Sequence, residues 1–373
     1  PVKVRWDNTV KYSTAVRVRD QSPGLTANIN SDDSDRNFDR GFISNRVDLL
    51  SEFDMSYDKV GLRVSGAGWY DSVYAGKNDN DSPATVNQVS AGPNGFAKGT
   101  RDLHRAHAEV LDAFVYGSTT IADAPLRVRA GRHTVLWGES LFMAGNGIAF
   151  GQAPIDVAKA LSVPNTQAKE LFMPVGQVSA QLQITNAVSL EGYVQFEWRR
   201  NRLPAAGSYF SDADILDKGG ERLLLGPNGI PNLSRGDDEK ARNLGQFGLA
   251  LRYRSEELDT DFGLYGLNYH EKYPQVYLRP VAGIPVNFPN VGTYSLVYGE
   301  NIQMFGGSAS TSIGSWNVAG EISYRHNTPL NSSAQVDALG NADNAGNALF
   351  ARGDTLHAQI SGIRLLGSGT LWD

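Results

Sequence analysis

The chain has 373 residues, enough for one large domain or two medium ones, and carries 34 Lys+Arg against 40 Asp+Glu for a formal net charge of -6. That mild acidity argues against a nucleic-acid partner, which would want a basic face. Cysteine is absent, which excludes thiolate metal sites and catalytic thiols, and at a mean hydropathy of -0.32 no stretch approaches the ~18 apolar residues of a membrane helix.

No basic-then-apolar leader opens the chain and no initiator Met precedes Pro1, so the start is expected to be processed or cut. In residues 2–18, Val2, Val4, Trp6, Val10, Tyr12, Val16 and Val18 alternate with Lys3, Arg5, Asp7, Lys11 and Arg17. Side chains on a strand point alternately to opposite faces, so this is a strand with one oily and one charged side. Residues 46–57 repeat the pattern, with Val47, Leu49, Phe53, Met55 and Tyr57 against Arg46, Asp48, Glu52 and Asp54. It returns at 177–184, 189–200, 246–254 and 317–325. About a dozen such strands are expected, many longer than the usual five or six residues. Their connections alternate too. Short ones fall near 57–60, 117–124, 185–189, 255–260 and 312–316, and long polar ones near 20–41, 75–101, 140–168, 200–242, 271–294 and 327–353. Short, long, short, long describes strands running up and down across a slab, with elaborated loops on one side only.

A soluble sandwich also alternates, with its apolar side inward. Long strands, one-sided loops and aromatic residues at strand ends (Trp6, Tyr57, Tyr70, Tyr74, Trp198, Tyr253, Trp316 and Tyr324) favour the inverse arrangement. The expected fold is therefore all-β: a transmembrane antiparallel up-and-down β-barrel of at least 12 strands, forming a single domain over 1–373. In Ser189–Arg200, Glu191, Glu197 and Arg199 are expected to face the lumen, with Phe196 and Trp198 facing lipid.

The connection at 140–168 differs from its neighbours. It reads SLFMAGNGIAFGQAPIDVAKALSVPNTQA, an apolar run that water does not favour. It is expected to fold into the lumen as a constriction or plug, with a short helix from Pro154 to about Leu161. Phe142, Met143, Ile148, Phe150, Ile155 and Leu161 would form the greasy contact surface of a solute path. Arg127 and Arg129 share one strand face and Arg132 falls on the other. A bulge near Gly131 would turn Arg132 inward, where it would pair with Glu139 or Asp156 and pin the loop. Inward charges of both signs, among them Arg46, Asp48, Arg63, Glu109, Arg252, Glu321 and Arg325, are expected to neutralise one another across a wet wall.

Enzymatic and cofactor signals are poor. His104 and His107 would lie on opposite faces of a strand, useless as paired metal ligands. GNGIAFG lacks the Lys-Ser/Thr of a phosphate-binding loop and reads as a flexible apolar loop. GDDEK at 236–240 reads as solvated loop charge in preference to a divalent-ion bridge. No catalytic residue, metal site or cofactor is expected.

RVRAGRHTVLWGESLF, followed by APIDVAKALSVPNTQAKELFMPVGQVSAQLQITNAVSLEGYVQFEW, resembles the core of the Domain of Unknown Function 1302 family of proteobacterial outer-membrane barrels. The match runs from about Leu126 to Trp198. It departs from the family pattern at His133, where Gln is common, and at Ala153-Pro154, where Asn-Pro is common. The resemblance implies a Gram-negative outer-membrane location, in contact with outer-membrane lipid and lipopolysaccharide. It also implies passage of small hydrophobic solutes and a periplasmic or resistance-nodulation-division transport partner. The closing GSGTLWD reads as a turn opening a further strand, so a C-terminally incomplete barrel is expected. The functional expectation is a narrowed channel for small hydrophobic or amphipathic organic molecules. The alternative is a plugged barrel that docks onto an envelope transport complex.

Overall fold

The computed structural model describes residues 1–140, 144–285 and 287–364. In chain order the strands are β1 (Val2–Arg17), β2 (Gly41–Tyr57), β3 (Val60–Asp71), β4 (Ala106–Ile121), β5 (Ala124–His133), β6 (Val175–Gln183) and β7 (Val188–Gln195). There follow β8 (Arg222–Leu224), β9 (Asn232–Arg235), β10 (Gln246–Ser255), β11 (Thr260–Tyr269), β12 (Gln275–Pro280) and β13 (Asn290–Val297). The last are β14 (Ile302–Ile313), β15 (Trp316–Pro329), β16 (Gln335–Val336) and β17 (Arg352–Arg364).

Twelve of these form one sheet in the order β1-β2-β3-β4-β5-β6-β7-β10-β11-β14-β15-β17, antiparallel throughout, each strand beside its predecessor. This is the expected meander, with the expected short turns at Asp58, Ala122–Asp123 and Asp259, all carrying positive φ. Among the described residues no ladder joins β17 to β1, so the described wall is an open curl in which closure of a barrel is not seen. Its faces are inverted as expected. On β10, Leu249 is 60% exposed while its neighbour Ala250 is 1% exposed. The same holds around the curl, with Val4, Leu49, Val178, Leu190, Leu264, Ile322 and Ile360 exposed. Arg46, Asp48, Gln177, Gln195, Gln246, Glu321 and Arg325 are buried on the other side.

Two details of register matter below. The pairing of β3 with β4 jumps from Val64↔Ala113 to Gly66↔Val110, so two residues, Leu111 and Asp112, oppose Ser65 in a bulge. The pairing of β4 with β5 runs without a break from Ile121↔Ala124 to Ala113↔Arg132. The bulge expected near Gly131 therefore lies across the ladder, on β4. Arg132 stays on the face of Leu126, Val128 and Ala130.

The loop side holds a feature that sequence reading did not anticipate. A second, five-stranded sheet, β16-β12-β13-β9-β8, is built from segments read as long loops. Tyr277, Tyr294, Leu296 and Val297 are fully buried in it. Two of its pairings are parallel. Trp198 and Tyr74, expected as outward aromatics, are instead buried on this side: Trp198 packs on Tyr298 and donates its indole N–H to the Glu271 carbonyl oxygen. The strand ends at Gln195, so alternation no longer governs Trp198.

Candidate functional site: a bolted insertion between two cavities

The described residues of the segment 134–174 lie inside the curl. Wall residues hold it from several sides, and the first holds are on β15. The Glu321 carboxylate accepts the backbone N–H of Glu139 (2.6 Å) and of Ile148 (3.0 Å), and also the Gln359 amide (2.7 Å). Arg325 donates to the carbonyls of Gly145 (2.9 Å) and Gly147 (3.1 Å) and lies over the Phe150 ring. A charged acceptor for amides and a charged donor for carbonyls, one turn of loop apart, satisfy a backbone that has no ladder of its own. Gly138 is required here: its φ is +88°, and a Cβ would strike the Glu321 carboxylate. GNGIAFG is thus an anchored loop rather than a flexible one.

Further along, Gln152 accepts the Trp137 N–H (2.6 Å), and its carbonyl oxygen takes a bond from the Gln195 amide (2.7 Å). The Trp137 indole donates to Glu191 at 2.8 Å. Lys272 donates to the Gly151 carbonyl at 3.0 Å, and burial pushes its ammonium down to about 8. Asp156 caps the helix Val157–Ser162 by accepting the Lys159 N–H at 2.8 Å. That helix begins after Pro154 and includes the Leu161 expected in it. Glu170 then pairs with Lys159 at 2.8 Å and with Lys11 of β1 at 3.7 Å. Residues of β1, β7 and β15 thus all meet one inserted segment, and β17 meets it through His357, whose ring nitrogen lies 3.2 Å from the Asn146 side-chain oxygen.

The central bolt is Arg202. It pairs with Glu109 of β4 and with Asp156 of the insertion, both at 2.6 Å, and stacks near Trp69. Burial opposes its charge, but the hydrogen bond to Glu109 and the field of both carboxylates hold it above the ordinary guanidinium range. Arg199 approaches Glu109 at 3.6 Å and donates to the Pro174 carbonyl at 3.0 Å.

The expected anchoring residues are placed as follows. Arg132 pairs with Glu197 at 2.5 Å and donates to the Val110 carbonyl at 3.3 Å, not to Glu139 or Asp156. Asp156 does pin the insertion, through Arg202. Glu139 touches the wall by its backbone N–H. Arg127 and Arg129 line a cavity, Arg129 near the Phe114 ring. Of the greasy residues, Ile148 is 0% exposed in a core with Trp137, Tyr193, Tyr265, Tyr269, Ile302 and Met304. Phe150 stacks on Tyr273, Ile155 is half-buried, and Leu161 is 52% exposed. These four do not form one surface, and Phe142 and Met143 lie outside the described residues. The charges at 236–240 are not simply solvated: Asp238 pairs with Arg200 and Arg235, and Glu239 with Arg279. His104 is buried in a turn before β4, accepts the Ala205 N–H at 3.2 Å, and is pushed down to about 3 by burial.

Two cavities flank the insertion. One of about 940 Å³ lies toward the short turns, lined by Asp58, Arg63, Asp112, Arg127, Arg129 and Glu191. The other, of about 830 Å³, lies toward the long loops, lined by His107, Glu109, Glu197, Arg200, Lys218 and Arg242. Phe172 and Pro174 face the first and Met173 faces the second. Residues 172–174 thus lie between the two, and Arg199 holds the strip at Pro174.

Fold and site together define a class: an up-and-down β wall with an apolar exterior and a polar interior around an inserted, bolted segment. The chain belongs to the family described as protein of unknown function (DUF1302), whose model matches residues 1–373. Among solved structures, a copper transporter, OprC, is similar at 11% identity and a TM-score of 0.26, over 98% of this chain and 57% of that one. The chain thus spans little more than half the length of that protein. A Pseudomonas aeruginosa FadL homologue is similar at 13% identity and a TM-score of 0.25, over 97% of this chain and 72% of that one. No curated protein matches.

Proposed function

We propose that this chain forms an outer-membrane channel wall through which small hydrophobic or amphipathic molecules pass, narrowed by the inserted segment. The observation that carries this reading is the inversion of faces. An apolar belt of Val, Leu and Ile side chains is exposed on the outside of the curl, with Arg, Asp, Gln and Glu buried inside it. Water does not stabilise such an exterior, whereas a bilayer does. The path in this reading joins the loop-side cavity to the turn-side cavity across the strip Phe172–Pro174, where Phe172, with Leu111, Phe114, Leu136 and Trp137, supplies apolar contact beside the charged groups.

The bolts at Arg202, Arg325 and Glu321 favour a second reading, a plugged wall that serves as the outer-membrane partner of a transport complex. Flux separates the two. Vesicles carrying the wild-type chain should take up a labelled apolar ester saturably and sugars slowly. Phe172→Ala, which thins the strip, should speed sugar-driven swelling several-fold. Silence toward ester and sugar in both proteins would favour the plug and contradict the channel.

A further inference from the structure

Three long loops converge on the loop side, and where they meet the structure buries an acidic cluster. Asp32 and Asp33 come from the β1–β2 loop and Asp214 from the β7–β8 loop, with exposures of 0%, 2% and 0%. Each offers a carboxylate oxygen within 4.8 Å of the others. Their partners only partly satisfy them. Arg36 donates to Asp32 Oδ2 at 2.5 Å, the Asn80 amide to Asp33 Oδ1 at 3.0 Å, and the Asp33 N–H to Asp214 Oδ2 at 3.2 Å. Asp32 Oδ1 and Asp214 Oδ1 have no hydrogen-bond partner. One guanidinium thus stands against three buried carboxylates, an arrangement whose buried charge is costly unless something compensates it.

A second observation is independent of the acids. Asn87, from the β3–β4 loop, turns its backbone N–H to the Asp33 carboxylate. Its side-chain amide donates to Asn30 Oδ1 at 2.8 Å and to the Arg222 carbonyl at 2.9 Å. Its own Oδ1 is buried without a partner, in a residue 1% exposed. A carbonyl-type oxygen on a residue whose backbone meets Asp33 adds a neutral hard donor to the charged ones. Such a set of Asp and Asn oxygens suits a hard divalent cation and offers nothing to soft metals.

We propose that Asp32, Asp33, Asp214 and Asn87 bind one divalent cation, calcium by its donor set, which fastens the β1–β2, β3–β4 and β7–β8 loops together. The site lies outside the curl's lumen and is independent of the transport reading. Mg²⁺ demands a tighter octahedron and keeps its waters, so it should compete poorly.

The test uses the full chain in detergent after chelator treatment, titrated calorimetrically with CaCl2 and separately with MgCl2. Wild-type protein should bind one calcium, and loops 20–41 and 203–235 should gain protease resistance on binding. Asp214→Asn should lower calcium affinity by at least about tenfold. Because it removes repulsion, it should also leave the calcium-free protein as protease-resistant as wild type or more so. Asp32→Asn provides the same comparison should Asp214→Asn fail to fold. Folded wild-type protein that binds no calcium, or calcium binding unchanged in both variants, would overturn the assignment.

Discussion

At the residue scale, the insertion is held by a few buried charges whose partners lie far away in sequence. Lys272 gives the clearest pH signature. Burial lowers its ammonium from the ordinary 10.5 to about 8, against the pull of Glu271. The folded chain therefore sheds a proton that the unfolded chain keeps, so stability rises with pH between about 8 and about 10.5. The gain is about 3 kcal/mol at most. Lys272→Met should remove that rise, visible as the difference between the two proteins' thermal midpoints across pH 7 to 10.5. Parallel curves would contradict it. Sequence reading named Arg132 as the bolt because it lies close in the chain to the insertion. The bolt is Arg202, 46 residues beyond Asp156, and alternation cannot pair a loop arginine with a distant acid. Glu321 and Arg325 were legible as inward charges by strand parity, although their use as backbone clamps was not.

At the element scale, the strands were legible and the long loops were not. Period-2 alternation marks the wall strands because each has one face toward the exterior and one toward polar partners. β8, β9, β12, β13 and β16 escape that signal. β8, β9, β12 and β16 are short, and β13 is interrupted by Gly292 and buried along most of its length, so no alternation distinguishes it. The insertion was legible as an apolar oddity, but which of its side chains form its core was not. Ile148 is sealed among Trp137, Tyr193, Tyr265 and Met304, while Leu161 is half-exposed on its short helix. Ile148→Ala should therefore cost about 2–5 kcal/mol, with faster cleavage within 144–171. Leu161→Ala should stay within about 0.5 kcal/mol of wild type. Denaturant midpoints for the two variants check this. Equal losses would mean that Ile148 is not the keystone of the insertion.

At the scale of the whole molecule, the account stands on which side of the wall is wet. The wall carries its apolar side chains outward over twelve strands, and its inner face is taken up by the insertion, the two cavities and paired charges such as Arg63 with Glu52 and Arg252 with Glu191. The chain has no cysteine, so single cysteines can be placed and spin-labelled without background. The direct measurement is label accessibility in reconstituted bilayers, at Leu190, Leu249 and Ile322 on the exposed apolar face and at Gln181 on the turn-side cavity. The three outward labels should collide with oxygen and be shielded from a water-soluble nickel chelate, while the Gln181 label should show the reverse. Nickel reaching Leu190, Leu249 and Ile322 as readily as Gln181 would contradict the membrane reading of the wall.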